Sequence, residues 1–257
     1  MPHLELNTTN NISGSHNSRI ITLVEANNMT FTIEPLELED TDAVLQVFWR
    51  AFEPLEADMI LPMVYPQGLQ PEVVVSLRKY LLAHHEGGSP SYGFCARDSV
   101  TREIMAISHW TVNTDPPSEA DGIQKAYDAA VETRSKRLVP EGKNTALEEA
   151  FFKVAFSTEL ETMAGRSYVD LGLLATDPKY QGKGAGKALL AQGLSEVVDK
   201  LALPCYVLAS RSAKPLYEKA GCELKDVFPF DCRKYGGRSE GKHWIMVRPA
   251  QEVRSNH

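Results

Sequence analysis

The sequence predicts an α/β protein built on a mixed central sheet of six or seven strands, with helices on both faces. Three observations carry this reading. Tyr168-Val169-Asp170-Leu171 is apolar and β-favouring, the mark of a buried strand. Past Gly182, Gly184 and Gly186 the period changes, and Leu190, Leu194, Val197 and Leu201 recur at helical spacing. Pro204-Cys205-Tyr206-Val207-Leu208-Ala209 then reads as a second short buried strand, parallel to the first because a helix connects them.

Taken in order, residues 1–28 are rich in Asn, Ser and Thr and read as a mobile leader with one short strand candidate, Ile20-Ile21-Thr22-Leu23-Val24. Three N-x-S/T sequons, at Asn7, Asn11 and Asn28, read as surface asparagines, since no apolar signal core accompanies them. Phe31 to Leu36 alternates and gives the first core strand. Asp40 is placed to cap a helix whose Val44, Phe48, Ala51 and Phe52 share a face, and Pro54 stops it. Val73 to His84 is a second helix. Tyr92 to Arg97 and Glu103 to Val112 form a hairpin. Residues 113–166 hold two further helical stretches, opened by the capping boxes Ser118-x-x-Asp121 and Thr145-x-x-Glu148. The second carries Leu147, Phe151, Val154 and Ala155 on one stripe and closes at Gly165. After the parallel strand, Pro215 suits a first helical turn and Gly221 a C-terminal cap. Glu223 to Val227 and His243 to Val247 are the last strands, with a long loop from Phe228 to Gly241 between them, and residues 251–257 are a tail.

Of 257 residues, 43% are hydrophobic and 24% charged, which fits one globular domain with appendages. The net charge of −7 disfavours nucleic acid as a partner and favours a cationic substrate such as an amine. Cys95, Cys205, Cys222 and Cys232 form no C-x-x-C pair and read as buried, reduced thiols of a cytoplasmic protein, with no metal expected. No apolar run approaches the about 18 residues of a membrane span, so no membrane partner is expected.

The glycine turn is where chemistry is concentrated. The first N–H groups of a helix lack intrahelical partners and carry the positive end of its dipole. Glycines let an anion approach that backbone, and Lys183 and Lys187 add charge beside it. A P-loop is excluded, because Ala188 stands where its hydroxyl is needed and no glycine lies five before Gly186. A Rossmann fingerprint is excluded by the G-x-G-x-G spacing. Gln181-x-x-Gly184-x-Gly186 instead resembles the Q/R-x-x-G-x-G/A motif of the GCN5-related N-acetyltransferase (GNAT) superfamily. Leu174-Ala175-Thr176-Asp177-Pro178 is similar to that family's strand-ending L-x-V-x-P run, with Thr176 for Val. Ala213 to Cys222 is similar to its A-x-x-L-Y-E-K-x-G-F signature, with Cys222 in place of the aromatic residue.

The resemblance spans roughly residues 31–248 and is specific over 168–222. It implies a single N-acetyltransferase domain over residues 29–250, with 113–166 a helical hairpin inserted between the third and fourth strands. The sequence leaves open whether that insertion is a lid, a homodimer contact or an elaboration of the acceptor pocket. The turn would hold the pyrophosphate of acetyl-CoA, the co-substrate. The cofactor-binding set is Leu174, Thr176, Gln181, Gly182, Lys183, Gly184, Ala185, Gly186, Lys187 and Ser210. A splay between the parallel strands would free backbone groups at Leu174 and Thr176 for the pantetheine arm. Tyr217 is the expected acid that protonates the leaving thiolate. Asp170, expected to share a sheet face with Leu174 and Thr176, or His109 is the expected base, directly or through water. The segment after the first helix, with Glu53, Glu56, Asp58, Met59 and Tyr65, would form one wall of the acceptor pocket. The implied function is acetyl-CoA-dependent transfer to a primary amine of a small molecule, by direct attack in a ternary complex. A protein lysine or N-terminal acetyltransferase and a non-catalytic acyl-CoA-binding sensor are the alternatives.

Overall fold

The computed structural model describes residues 6–7, 22–26, 29–53, 60–86, 89–135, 139–236 and 243–251. One sheet of nine strands organises them: β1 (Leu6–Asn7), β2 (Thr22–Ala26), β3 (Met29–Pro35), β4 (Ser91–Asp98), β5 (Ile104–Asn113), β6 (Tyr168–Thr176), β7 (Cys205–Ala209), β8 (Glu223–Val227) and β9 (Trp244–Arg248). Their spatial order is β1-β2-β3-β4-β5-β6-β7-β9-β8. Seven of these are the expected strands. The other two come from the stretch read as a leader: β2 overlaps its strand candidate at residues 20–24, pairs with β3 along its whole length and buries Val24 in the core, so residues 22–26 belong to the sheet.

Only β6 and β7 run parallel, and their pairing stops after Val169–Cys205 and Asp170–Tyr206. Beyond that point β6 stays paired to β5 and parts from β7, which opens the expected splay. β6 also carries a bulge. His109 of β5 faces Leu173 while its neighbour Trp110 faces Leu171, so Gly172 is one residue too many. An extra residue reverses which face the following side chains occupy.

Helix α1 (Thr41–Phe52) packs Val44, Val47 and Ala51 against Ile107 and Ala175 on one face of the sheet. Asp40 does not cap it through its side chain; its carboxylate accepts from the Glu37 N–H at 3.1 Å and pairs with Arg97 at 2.5 Å. A short helix α2 (Leu61–Val64) and α3 (Pro71–Glu86) follow. The inserted helical hairpin lies between β5 and β6 as α4 (Ala120–Ser135) and α5 (Thr145–Met163). The cap of α5 is Asn144, whose side chain accepts from the Leu147 N–H at 3.1 Å, one residue ahead of the expected Thr145. α5 lays Phe151, Val154 and Ala155 against Tyr168, Tyr206 and Ile245.

On the opposite face α6 (Ala185–Gly193) continues into a π-helical turn, Leu194–Asp199, and buries Leu189, Leu190, Val197 and Val198. α6 sits so close to the sheet that a Cβ on Gly193 would lie 2.1 Å from the indole of Trp110. Overfilling a packed core costs about 1–3 kcal/mol, and each kcal/mol is about 2–4 °C of Tm in a chain of this size. Thermal melts of Gly193→Ala should therefore show a clear drop, and an unchanged Tm would contradict this packing. The last helix, α7 (Lys214–Lys219), follows β7 and buries Tyr217.

Candidate active site

Three adjoining cavities run along the splay. The first, about 480 Å3, lies between the end of β6 and the start of α6. Gly184 holds φ 93° and Gly182 φ 74°, conformations that favour glycine, and they turn the chain from strand to helix. The first helical hydrogen bond is donated by Ala188 to the Gly184 carbonyl at 2.9 Å. The N–H groups of Ala185, Gly186 and Lys187 therefore precede the helical ladder and gather at the positive end of the dipole. Gly186 lies against β6, where a Cβ would meet Thr176 Oγ1 at 2.9 Å. This is a backbone cradle that a side chain would fill, and an anion such as a diphosphate suits it.

The turn is pinned from outside. Tyr180 is buried and donates its hydroxyl to Glu103 at 2.6 Å, and Lys179 reaches the same carboxylate at 2.8 Å. Gln181 donates its side-chain amide to the Thr176 carbonyl at 3.3 Å, across the mouth of the cradle. Asp177 donates its N–H to Met105 of β5 at 2.9 Å, so by strand alternation the N–H of Thr176 faces the splay.

Of the ten residues expected to hold the cofactor, nine line this one cavity: Leu174, Thr176, Gln181, Gly182, Gly184, Ala185, Gly186, Lys187 and Ser210. Lys183 is not among its lining; its ammonium sits 5.2 Å from the centre of the Tyr180 ring. Phe52 and Ser212 also line it and had no motif to announce them, as do Ala213 and Leu216 from the A-x-x-L-Y signature.

The second cavity, about 290 Å3, continues from the first through Leu174, Ser210 and Ala213 and brings Asp170 and Tyr217 together. Tyr217 is buried, and desolvation pushes its phenol well above the usual tyrosine range, so it keeps its proton. Asp170 is raised well above the usual carboxylate range, first by burial and then by the charge of Glu159. The shared face expected for Asp170 with Leu174 and Thr176 is corrected by the bulge at Gly172. Leu174 packs with α6, whereas Asp170 lies with Leu173 and the helices of the other face. His109 is not brought to this group; it is half-buried on β5 opposite Gly93 and Leu173 and lines none of the three cavities.

The third cavity, about 350 Å3, joins the second at Phe52, Phe151, Gly172 and Leu173. Its walls are mostly apolar and aromatic, from Phe48, Leu61, Val64, Tyr65, Leu77 and Phe152. At its outer end Glu148 pairs with Lys143 at 2.7 Å and Arg134 at 3.2 Å. Of the expected wall residues Tyr65 lines it, Glu53 is exposed outside it, and Glu56, Asp58 and Met59 lie outside the described residues. His243, buried just before β9, lines both this cavity and the second and rests edge-on to Phe151 and Phe228.

Residues 121–226 match the family model of the acetyltransferase (GNAT) domain. Over this span the chain matches a GNAT acetyltransferase domain. No curated protein matches the sequence. Among solved structures it resembles arylalkylamine N-acetyltransferase 2 from Aedes aegypti, with 12% identity, a TM-score of 0.58, and 86% of this chain and 99% of that one covered. It also resembles the mosquito arylalkylamine N-acetyltransferase like 5b, with 17% identity, a TM-score of 0.54 and coverages of 84% and 98%. A third is the Drosophila melanogaster polyamine N-acetyltransferase, which forms N-acetylagmatine, with 13% identity, a TM-score of 0.53 and coverages of 84% and 97%. At these identities the likeness fixes the fold. The GNAT match begins inside α4 and ends inside β8, so it takes in the cradle, the splay and Tyr217. The assignment makes the protein an acyltransferase. Among the described residues, no helix is long and apolar enough to cross a membrane.

Proposed function

We propose that the protein transfers the acetyl group of acetyl-CoA to a primary amine of a small molecule with an apolar body whose size is set by the third cavity. The observation that carries this is the succession of an anion cradle, a junction holding Tyr217 and Asp170, and an apolar, aromatic cavity. The cradle amides of Ala185, Gly186 and Lys187 take the diphosphate. The pantetheine arm adds beside β6 where β7 has parted from it, as an extra strand would. A backbone N–H on that edge polarises the thioester carbonyl. The amine arrives from the aromatic cavity and loses a proton towards Asp170, and Tyr217 protonates the departing thiolate. A cavity of about 350 Å3 suits a small molecule better than a peptide segment. The amine substrates of the arylalkylamine and polyamine enzymes named above are in keeping with this class.

The test is release of free thiol from acetyl-CoA over a panel of arylalkylamines, alkylamines, polyamines, aminoglycosides and lysine peptides. Turnover is expected with amines of apolar body. Thiol release with peptides alone, or with no amine, overturns the reading.

Asp170 supplies a linked prediction. Its raised pKa means that the folded protein holds this proton more tightly than the unfolded chain. Stability from that proton is full below the ordinary carboxylate range and is lost as pH rises through the raised value. Asp170→Asn should therefore melt higher than the parent at pH 8, by about 2–4 °C for each kcal/mol relieved. The difference should close near pH 4, and the acid limb of kcat should disappear with the carboxylate. A variant that melts lower at pH 8 would contradict the burial of that charge.

A further inference from the structure

We propose that Glu159, on the inserted helix α5, is the proton exit of the reaction, passing the proton released in each turnover from Asp170 to a cavity on the other side. The proposal rests on the acetyl-transfer reading and assigns the insertion a part in it.

The stoichiometry demands an exit. An ammonium and a thioester give an amide, a thiol and one free proton. Nitrogen loses two protons: one ends on the thiol sulfur, by way of Tyr217, and the other must leave. With donor and acceptor in place the three cavities along the splay would hold ligand rather than free water.

A fourth cavity, about 280 Å3, lies behind Glu159 and is bounded by Asn113, Thr114, Asp115 and Tyr168. Thr114 and Asp115 are exposed, so it opens at the surface. Among the described residues, Glu159 is the one that lines both this cavity and the junction holding Asp170 and Tyr217. Tyr168 donates its hydroxyl to Glu159 Oε1 at 2.5 Å and fixes the carboxyl between the two spaces. A further observation points the same way. Tyr206 is 3% exposed and lines the junction, yet among the described residues its hydroxyl finds no hydrogen-bond partner. Such a group needs a polar visitor, water or the acceptor's nitrogen.

Glu159 and Asp170 lie within each other's field, and each also acts on Tyr168 or Tyr206. The other titratable groups facing the junction are Tyr217 and His243; no Lys or Arg lines it among the described residues. Two buried carboxyls in such surroundings hold one proton between them. In the transfer Asp170 hands its proton to the Glu159 carboxylate, and a new O–H bond forms at Asp170 as the N–H bond breaks, with the electron pair staying on nitrogen. Glu159 gives its own proton to water in the fourth cavity, and the pair returns to one proton. Nothing is oxidised or reduced.

Glu159→Gln keeps the shape and the bond from Tyr168 but cannot relay. With the best amine its kcat is expected to fall by about 10²-fold, with the KM for acetyl-CoA little changed. Glu159→Asp should restore much of the rate, and formate should partly rescue Glu159→Gln by entering the open cavity. Unchanged kcat and pH profile in Glu159→Gln overturn the proposal. Infrared spectroscopy decides it without turnover. The wild type should show the C=O stretch of a protonated carboxyl at neutral pH, and Glu159→Gln/Asp170→Asn should lack it. Absence of that band from the wild type overturns the shared proton and with it the relay. Failure of every amine in the wild type, with the band present, instead defeats the acetyl-transfer reading.

Discussion

Gly186→Val is expected to abolish coenzyme A binding while leaving the protein folded. Its Cβ would stand 2.9 Å from Thr176 Oγ1, and its two methyls would fill the space above the amides of Ala185 and Lys187. Valine in a first helical turn costs well under about 1 kcal/mol in propensity, so the fold should tolerate it. The ligand loses far more. Hydrogen bonds to a charged group are each worth about 1.5–3 kcal/mol, and losing two weakens binding by about 10²–10⁴-fold. Calorimetric titration with coenzyme A, beside a circular dichroism melt, checks both halves. Wild-type affinity in the variant would show that the diphosphate does not lie over Gly186.

Tyr217→Phe should separate chemistry from binding. The hydroxyl sits in the junction beside Asp170, and the ring packs with Val207, Leu190 and Met246 in the core. Removing the oxygen keeps the packing and withdraws the proton for the thiolate. General acid catalysis is worth about 10²–10⁴ in rate, so kcat should fall by that order, with coenzyme A binding unchanged. A variant that turns over at the parent rate would remove Tyr217 from the reaction. The loss should be smallest for activated thioesters, such as thiophenyl acetate analogues, whose leaving group needs no proton.

The cradle was legible because its parts are neighbours in the chain. Residues 174–187 hold strand end, turn and helix start, and the spacing of their glycines alone ruled out two other phosphate loops. Tyr217 could be placed for a similar reason, since a contiguous signature surrounds it. Asp170 shows the limit of such reasoning. Counting by twos put it with Leu174 and Thr176, and one extra residue at Gly172 reversed the face. A bulge needs no unusual residue type. The aromatic cavity was not legible, because Phe52, Phe151 and His243 come from three distant segments and meet only in the fold. His243 in particular belongs to no local motif that would single it out. Glu159 was hidden for the same reason: only the docking of α5 against β6 and β7 gives it a cavity on either side. β2 was blurred by its polar surroundings, although its alternation of buried Thr22 and Val24 is that of a half-buried strand.

Hydrogen–deuterium exchange tests the central assignment most directly, with coenzyme A compared against pantetheine, which has no phosphate. Coenzyme A should slow exchange at the amides of residues 182–187 and along β6 from Leu174, whereas pantetheine should act on β6 alone. Equal protection of the turn by both, or protection by coenzyme A elsewhere only, would contradict a diphosphate seated on these amides.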